Sequence, residues 1–214
     1  MSLSHAAGPQ AAQQTLASVL WPSGAAAQRA LRAVVLALAG SLLVTISAKV
    51  QVPFWPVPMT MQTFAVLVIG MAYGWRLGGA TLLTYLGQGA LGLPVFAAGG
   101  GLAYFAGPTA GYLVGFALAA VLVGFLAERG WDRAVVPTLI AMFLGTAVIF
   151  VAGIAWLTLF LASTKALALD AAFLAALANG LTPFLAGAAA KIALAAAVLP
   201  LAWKLLAKGR KGTE

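Results

Sequence analysis

A single lysine interrupts the last long apolar segment of the chain, where a charge is costly. Lys191 lies in TPFLAGAAAKIALAAAVLP, thirteen residues before Lys204, the next basic residue. On an α-helix this separation is ~20 Å, too far for the lysine stem to reach the polar boundary near Lys204. An ammonium near the centre of a membrane costs ~2.5–3.5 kcal/mol. We therefore expect Lys191 either to face a wet cavity and meet an anion, or to reach the opposite interface.

The apolar segments offer no carboxylate that would neutralise this lysine. The four acidic residues fall in predicted connections and tails: Glu128, Asp132, Asp170 and Glu214. The charge of Lys191 is then available for the carboxylate of a ligand. The same pattern argues against a buried proton relay, because the one histidine, His5, lies in the N-terminal tail.

Catalytic signatures are missing as well. The sequence has no cysteine and none of the spacings typical of common nucleophile, metal or nucleotide sites. We predict no enzyme activity, no metal site and no cofactor, and a membrane enzyme is only a distant alternative. Energy from ATP would have to come from another polypeptide.

Two uncharged segments, QVPFWPVPMT and LPVFAAGGGLAYFAGPTAGYL, are too rich in proline and glycine for regular helices. Irregular backbone at membrane depth is tolerated where it is buried in protein or lines a cavity. We predict a site for a small ligand that is partly apolar and anionic at one end. Its candidate residues are Lys191, Gly99, Gly100, Gly101, Tyr104, Phe96, Gln88, Gln62 and Tyr112, with Phe54, Trp55, Phe105, Thr60 and Thr109 as further wall residues. The alternative is an external loop with packing glycines and an interfacial aromatic belt.

The composition of the chain indicates the class of protein that positions these residues. Of the 214 residues 63% are hydrophobic and 7% are charged, too few charges to cover a water-facing surface. Long continuous apolar runs favour membrane-spanning helices over the alternating strands of a barrel. The formal net charge of +8 fits basic residues that flank membrane spans, so we do not predict nucleic-acid binding.

Charged residues, prolines and glycines divide the chain into six predicted membrane spans. We predict an all-α membrane protein in which these six helices form one compact bundle, with external loops that cover a ligand. The spans are about 32–49, 61–75, a third ending near Leu91, 110–127, 134–161 and 181–203. We predict a cytoplasmic tail over 1–28, partly disordered, a single six-helix domain over 29–208, and a cytoplasmic C-terminal tail over 209–214.

The basic residues predict the orientation of these spans in the cell membrane. Nine lie on the side shared by both termini: Arg29, Arg32, Arg76, Arg129, Arg133, Lys204, Lys208, Arg210 and Lys211. Only Lys49 and Lys165 lie on the other side. By the positive-inside rule both termini are cytoplasmic and the glycine-rich loop is external.

Three segments taken in order resemble the BioY family. They are PFWPVPMTMQTFAVLVIG, GALGLPVFAAGGGLAYFAGPTAGYLVGF and TPFLAGAAAK. The resemblance runs from about residue 30 to the C-terminus. It implies a six-helix substrate-capture subunit (S-component) of an energy-coupling factor (ECF) transporter, with biotin as the ligand. It also implies a transmembrane coupling subunit and two ATPase subunits as partners, beside membrane lipid.

Some residues depart from the pattern of that family. Ala188 stands at the position of an acid in the last motif, while Lys191 matches its lysine. Gly99 and Leu113 stand where some members have an asparagine and an arginine. Lys191, the backbone of Gly99–Gly101, and Tyr104 or Gln88 would then have to supply the ligand contacts.

A stripe of small residues enters the first span: Ala26, Ala30, Ala33 and Ala37. Such a stripe lets helices approach closely, and the resemblance implies that it contacts the coupling subunit. Three alternatives to an ECF biotin subunit stay open from the residues alone. They are a solitary vitamin facilitator, an S-component for another small anionic vitamin, and a non-transporting structural protein of the membrane.

Overall fold

The computed structural model describes residues 14–211, so parts of both predicted tails, 1–13 and 212–214, lie outside the described residues. The chain is almost entirely helical between these limits. The α-helices are α1 Leu16–Leu20, α2 Ala26–Lys49, α3 Gln62–Tyr73, α4 Trp75–Ala90, α5 Ala110–Ala127, α6 Val135–Lys165, α7 Leu169–Gly180 and α8 Leu185–Lys211. Two 3-10 turns cover Leu102–Ala106 and Thr182–Phe184, and two short antiparallel strands, β1 Gln51–Val52 and β2 Met59–Thr60, form a hairpin.

The prediction of a helical multi-pass membrane protein is confirmed. Within residues 14–211, four stretches are long and apolar enough to cross a membrane: Ala26–Lys49, Ala110–Ala127, Val135–Lys165 and Leu169–Lys208. The predicted second and third spans are the shorter helices α3, with 12 residues, and α4, with 16. At 1.5 Å per residue they are about 18 and 24 Å long, against a hydrocarbon layer of ~30 Å.

The connection predicted between the fifth and sixth spans contains a helix instead. Residues 169–180 form α7, which packs against α6. Its buried positions, Ala172, Ala176 and Gly180, recur every fourth residue, so one small-residue face turns inward. Asp170 in its first turn stabilises the positive end of the helix. At 12 residues α7 is too short to predict as a span, and tertiary packing stabilises it.

Helix α5 is the centre of the bundle and contacts α3, α4 and α6. Glycines make these contacts close. A Cβ at Gly70 of α3 would lie 2.7 Å from the carbonyl oxygen of Ala120 on α5, so the two backbones touch. Gly111 of α5 has the same relation to the carbonyl group of Ala152 on α6. Gly70 and Gly111 thus bring together helices of the chain itself.

The bundle has two chemically different ends. The loop end contains the connections 50–61, 91–109 and 166–184. Here Lys49 Nζ, at the end of α2, donates to the Phe96 carbonyl at 2.6 Å. At the basic end lie α1, the α3–α4 junction and the connection 128–134, where Gly74 packs beside Thr15 and Glu128. The described cations at the basic end are Arg29, Arg32, Arg76, Arg129, Arg133, Lys204 and Lys208. The charge asymmetry read from the sequence is thus an asymmetry between two ends of one bundle.

A buried carboxylate clamps α8 to the α5–α6 connection at the basic end. Asp132 has no exposed surface, and its Oδ2 accepts a hydrogen bond from Trp203 Nε1 at 2.5 Å. The Arg133 guanidinium lies over the Trp203 ring, 4.6 Å from its centre. Burial raises the pKa of Asp132 from 3.8 to about 6, although the Trp203 hydrogen bond and the Arg133 charge act in the opposite direction.

This shift predicts a specific dependence of stability on pH. Because the pKa of Asp132 is higher in the folded chain, its stabilising effect is complete below pH 3.8 and is lost as pH rises through about 6. We expect the melting temperature of detergent-solubilised protein to fall between pH 5 and about 7.5, and Asp132→Asn to flatten that fall. Asp170→Asn, which changes an exposed carboxylate, is the control and should keep the wild-type profile. An unchanged profile in Asp132→Asn would contradict the assignment.

Candidate ligand-binding site

Lys191 lies near the start of α8, on the side that faces α3. Its Nζ donates to the Thr60 carbonyl at 2.5 Å and to Thr63 Oγ1 at 3.1 Å. The ammonium is half-buried and forms no ion pair with any residue of the described part of the chain. A lysine ammonium has three protons, so two are bound to protein oxygens and one remains for a ligand. The first of the two expectations for Lys191, a cavity, is the one that the structure supports.

The cavity beside Lys191 opens at the loop end and continues between α3, α5, α6 and α8. It contains about 830 Å³ of space between atoms, including its open mouth. Its aromatic lining is Phe64, Tyr104, Tyr112, Phe116, Phe150 and Phe184, and its polar lining is Thr60, Gln62, Thr63, Thr109, Thr146 and Lys191. The walls are therefore mostly apolar, with one cation and a few neutral hydrogen-bonding groups.

Four of the predicted site residues meet at this cavity, although they are far apart in sequence. They are Gln62, Tyr104, Tyr112 and Lys191. Thr60 and Thr109, predicted as neutral hydrogen-bonding groups, line it as well. Phe96, Gln88 and Gly99–Gly101 lie outside its lining, and their direct contact with a ligand stays a prediction.

Several backbone groups of the glycine-rich loop form hydrogen bonds within the loop or to the end of α4. Phe96 N donates to Gly99 O at 2.9 Å, and Gly99 N donates back to Phe96 O at 3.3 Å. Gly101 N donates to Gly89 O at 2.7 Å, which ties the loop to the end of α4. Gly99 and Gly101 have φ of 137° and 98°, a backbone conformation that side chains disfavour. These glycines thus form a tight turn that aims the aromatic residues on either side of it.

Phe96 supports the cavity wall from behind. Its side chain has no exposed surface, and its ring centre lies 4.7 Å from that of Tyr104, which does line the cavity. Tyr85 and Phe105 pack edge-on against it at 5.4 and 5.5 Å. Aromatic pairs at such distances stabilise a fixed geometry. Phe96 therefore sets the position of Tyr104.

A buried relay joins the cavity wall to the same loop. Gln62 Nε2 donates to Tyr85 Oη at 2.7 Å, and Tyr85 Oη donates to the Val95 carbonyl at 3.1 Å. The Gln62 side chain also contacts Thr60 Oγ1 through its Oε1, at 3.2 Å. Since Gln62 lines the cavity and Val95 precedes Phe96, ligand contacts on α3 are linked to the loop through Tyr85.

Gln88 and the alanine stripe belong to the packing of α2. Gln88 Oε1 accepts a hydrogen bond from Ser41 Oγ, which joins α4 to α2. Along the stripe, Ala30 is exposed, Ala33 is half-buried and Ala37 is 8% exposed. Ala37 therefore faces the chain's own helices, and only the earlier part of the stripe retains surface for another protein.

Tyr112 links the cavity to α7, the helix that the sequence analysis missed. Its hydroxyl donates to the Gly180 carbonyl at 2.8 Å. Side chains at Gly153 or Gly180 would overlap the tyrosine. Two glycines on α6 and α7 thus leave the space that Tyr112 needs to turn its ring toward the cavity.

Helix α6 and the turn before α8 contribute lining residues that sequence reasoning did not select. Thr146, Phe150 and Phe184 line the cavity, and Phe184 also packs against Phe54 and Phe150 with ring centres 6.3 and 6.4 Å apart. The signal for Thr146 was weak, because it is one of several hydroxyl residues in a 31-residue apolar helix. The signal for Phe184 was its place seven residues before Lys191, two helical turns away.

The described residues contain no cluster of histidines and acids that could hold a metal ion, and the chemistry of the cavity is that of binding. It offers one ammonium, several neutral hydroxyl and amide groups, and aromatic walls. Such a set can hold a molecule with an anionic end and a compact, partly apolar body.

The fold identifies a class of membrane protein. The chain is similar to the crystal structure of the S-component for biotin from an ECF-type ABC transporter, with a TM-score of 0.65. The match covers 85% of this chain and 95% of that chain at 20% sequence identity. This likeness shows that the helices are arranged as in an S-component.

Sequence relatives make the assignment more specific: the chain belongs to the BioY family, which it matches over residues 15–208. It is 36% identical over 115 residues to a probable biotin transporter BioY of Lysinibacillus sphaericus, covering 54% of this chain and 59% of the relative. It is 38% identical over 125 residues to the Pyrococcus horikoshii counterpart, covering 58% and 73%. The biotin transporter BioY of Thermotoga maritima is 43% identical over 88 residues, covering 41% and 52%. The aligned segments thus span about half to three quarters of these relatives.

The relay predicts that Tyr85 stabilises both the bundle and the glycine-rich loop. Tyr85→Phe leaves the buried Gln62 amide and the Val95 carbonyl without their partner, at ~1–3 kcal/mol each. We expect a loss of about 2 kcal/mol or more in the free energy of unfolding, and faster hydrogen exchange over residues 95–101. Both are measurable on purified protein in detergent.

Tyr73→Phe is the matched control for this substitution. Tyr73 is half-buried on α3, and its hydroxyl makes no hydrogen bond to the residues that the structure describes. Removing that hydroxyl should change stability by less than about 0.5 kcal/mol. Equal effects of the two substitutions would rule out the relay.

Proposed function

We propose that this protein captures biotin in the cavity beside Lys191, as the substrate-binding subunit of an ECF-type transporter. The observation that carries the proposal is an ammonium that lines an aromatic-walled cavity and has no carboxylate partner among the described residues. Biotin has a carboxylate at the end of an apolar chain and a compact double ring that can hydrogen-bond. The names of the BioY relatives and the S-component fold support the same ligand.

The cavity suggests how biotin would be oriented. The valerate carboxylate would accept the remaining ammonium proton of Lys191, since charge-assisted hydrogen bonds are the strongest available here. The apolar ring would lie against Tyr104, Phe116 and Phe150. The ureido group would meet neutral groups such as Gln62 or the loop backbone, which includes the predicted contacts at Gly99–Gly101.

Ala188 sharpens this preference for an anion. It lines the cavity one turn before Lys191, where the resemblance puts an acid. A carboxylate at that position would neutralise the lysine, whereas a methyl group leaves its charge for the ligand. We infer a stronger dependence on the free carboxylate of biotin than in members that carry the acid.

Six membrane crossings with cytoplasmic termini are part of the proposal. The proposed crossings are α2, α3, α4, α5, α6 and α8, four of which lie in stretches long and apolar enough to span a membrane. The short helix α3 begins beside Lys191 and ends at Gly74 beside Glu128, which supports a full crossing. The excess of cations at the basic end supports a cytoplasmic location for that end.

The first test replaces the ammonium. Lys191→Ala should weaken biotin binding about 10- to 100-fold, the usual effect of losing a hydrogen bond to a charged group. Biotin amide, which lacks the carboxylate charge, should bind the wild-type protein more weakly, and the variant should bind both compounds alike. Isothermal titration of the purified proteins measures all four affinities.

Lys204→Ala, an exposed lysine on the same helix, is the control and should bind biotin as the wild type does. Unchanged biotin affinity in Lys191→Ala, with an unchanged melting temperature, would refute the role of the lysine. A variant that still prefers biotin over its amide would refute the orientation.

Assembly with a coupling subunit is tested on the exposed part of the alanine stripe. Ala33→Trp should prevent co-purification with a coupling subunit, because the indole would hold the two helices apart, and should spare biotin binding. Leu42→Trp is the control: Leu42 is 60% exposed and lies about 180° around α2 from Ala33. Co-purification that survives Ala33→Trp, or fails equally in both variants, counts against this surface.

A further inference from the structure

A second cavity lies at the basic end, far from Lys191, between α1 and the first turns of α2. It is open and polar, and Ser18, Ser23, Arg29 and Arg32 contribute to its lining. No acidic residue of the described chain lines it. Two cationic side chains therefore share one open hollow without a counter-charge.

The two guanidinium groups are held in place by the linker between α1 and α2. Arg29 Nη1 donates to the Gly24 carbonyl at 2.6 Å, and Arg32 Nη1 donates to the Trp21 carbonyl at 2.8 Å. Each arginine uses one of its five donors in this way. Carbonyl groups do not neutralise the charges, so the cavity keeps both positive charges and most of its donors.

Two further donors in the cavity have no acceptor. Ser23 Oγ and Arg32 Nε are buried and have no hydrogen-bond partner among residues 14–211. An unused buried donor costs free energy, and each such group in a folded protein calls for a partner. A tetrahedral oxyanion fits this need, since it can accept from a hydroxyl and from two arginine forks at once.

Exposed apolar residues flank the cavity. Leu20, Trp21 and Leu31 are 66%, 41% and 60% exposed. Tryptophan beside basic residues is typical of the level of lipid headgroups. The first-turn residues of α2 have no side-chain cap and no acid, which leaves the helix terminus compatible with an anion.

We infer that this cavity binds the phosphate group of an anionic phospholipid, with Arg29 and Arg32 on the phosphate oxygens and Ser23 donating a third hydrogen bond. The flanking apolar residues favour a lipid over a soluble phosphate, because acyl chains would cover Leu20, Trp21 and Leu31. The site would anchor the start of α2 at the membrane surface. It depends on the helices crossing a membrane and is independent of the identity of the transported ligand.

The test uses the full chain, without other subunits, in nanodiscs of phosphatidylcholine alone or with phosphatidylglycerol at one part in four. Phosphatidylglycerol should raise the melting temperature of the wild type. Arg29→Gln combined with Arg32→Gln should abolish the shift and lower the phosphatidylglycerol retained after detergent exchange, read by native mass spectrometry, about tenfold. Ser23→Ala should reduce both effects without changing charge.

Arg76→Gln combined with Arg129→Gln is the matched control, with the same change of charge at the same end of the bundle. Arg76 stacks on Trp75, and Arg129 stacks on Phe125 and bonds its carbonyl oxygen. General attraction between a basic surface and an anionic membrane would make the two pairs equivalent. Equal effects of the two pairs overturn the proposal.

Two further arms complete the experiment. Arg29→Lys combined with Arg32→Lys keeps the charge and removes the planar forks, so it should lose most of the specific shift. Full retention of the shift in this variant would overturn the local site in favour of a diffuse charge effect. Inorganic phosphate added to phosphatidylcholine discs should have little effect, and a full shift with phosphate would overturn the lipid in favour of a soluble ligand.

Discussion

The ammonium of Lys191 imposes the strongest demand on this structure, because a cation within an apolar bundle is unfavourable unless polar groups surround it. The chain meets the demand with neutral oxygens. The β-hairpin before α3 presents the Thr60 carbonyl, and the first turn of α3 presents the Thr63 hydroxyl. Both groups hold the lysine in position, and neither is an acid that would neutralise it. The cavity beside this lysine therefore presents one amino group among neutral polar groups and aromatic walls.

The cavity wall depends on a chain of contacts that begins outside it. The glycines at 99–101 close a tight turn, the turn buries Phe96, and Phe96 supports Tyr104. The same loop is bonded to α3 through Tyr85 and to α2 through Lys49. The glycine-rich loop has no charge and little regular structure, yet hydrogen bonds join it to several helices at the loop end. This structural role accounts for the glycines of the loop, and direct contact of their backbone with a ligand stays a prediction.

Glycine and alanine let the helices of the bundle approach one another closely. Where Gly70 meets Ala120 and Gly111 meets Ala152, the backbones touch and no space remains between helices. The cavity lies toward the loop end and is lined largely by apolar and aromatic side chains. At the basic end, Asp132 and Trp203 tie α8 to the α5–α6 connection. The bundle is thus joined by close contacts between helix backbones and, at the basic end, by this hydrogen bond.

Charge and hydropathy could be read from the sequence because the membrane acts on them directly. The low charge content predicted a helical membrane protein, and the isolated charge of Lys191 predicted a cavity. The prolines of the first loop predicted that residues 50–61 would not form a helix, and that prediction is confirmed. Gln62, Tyr104 and Tyr112 were selected from polar or aromatic character near loops, and they do line the cavity.

Tertiary structure decided what depends on which groups become neighbours. The hydrogen bonds of Gly99 and Gly101 were invisible in sequence, because any peptide group can bond to a loop, a helix end or a ligand. Phe96 was expected in the wall and lies behind it, since burial depends on the folding of the glycine turn. Helix α7 was missed because its stability comes from packing on α6. Thr146 and Phe150 line the cavity because α6 packs beside α5. Local sequence does not determine which helices become neighbours.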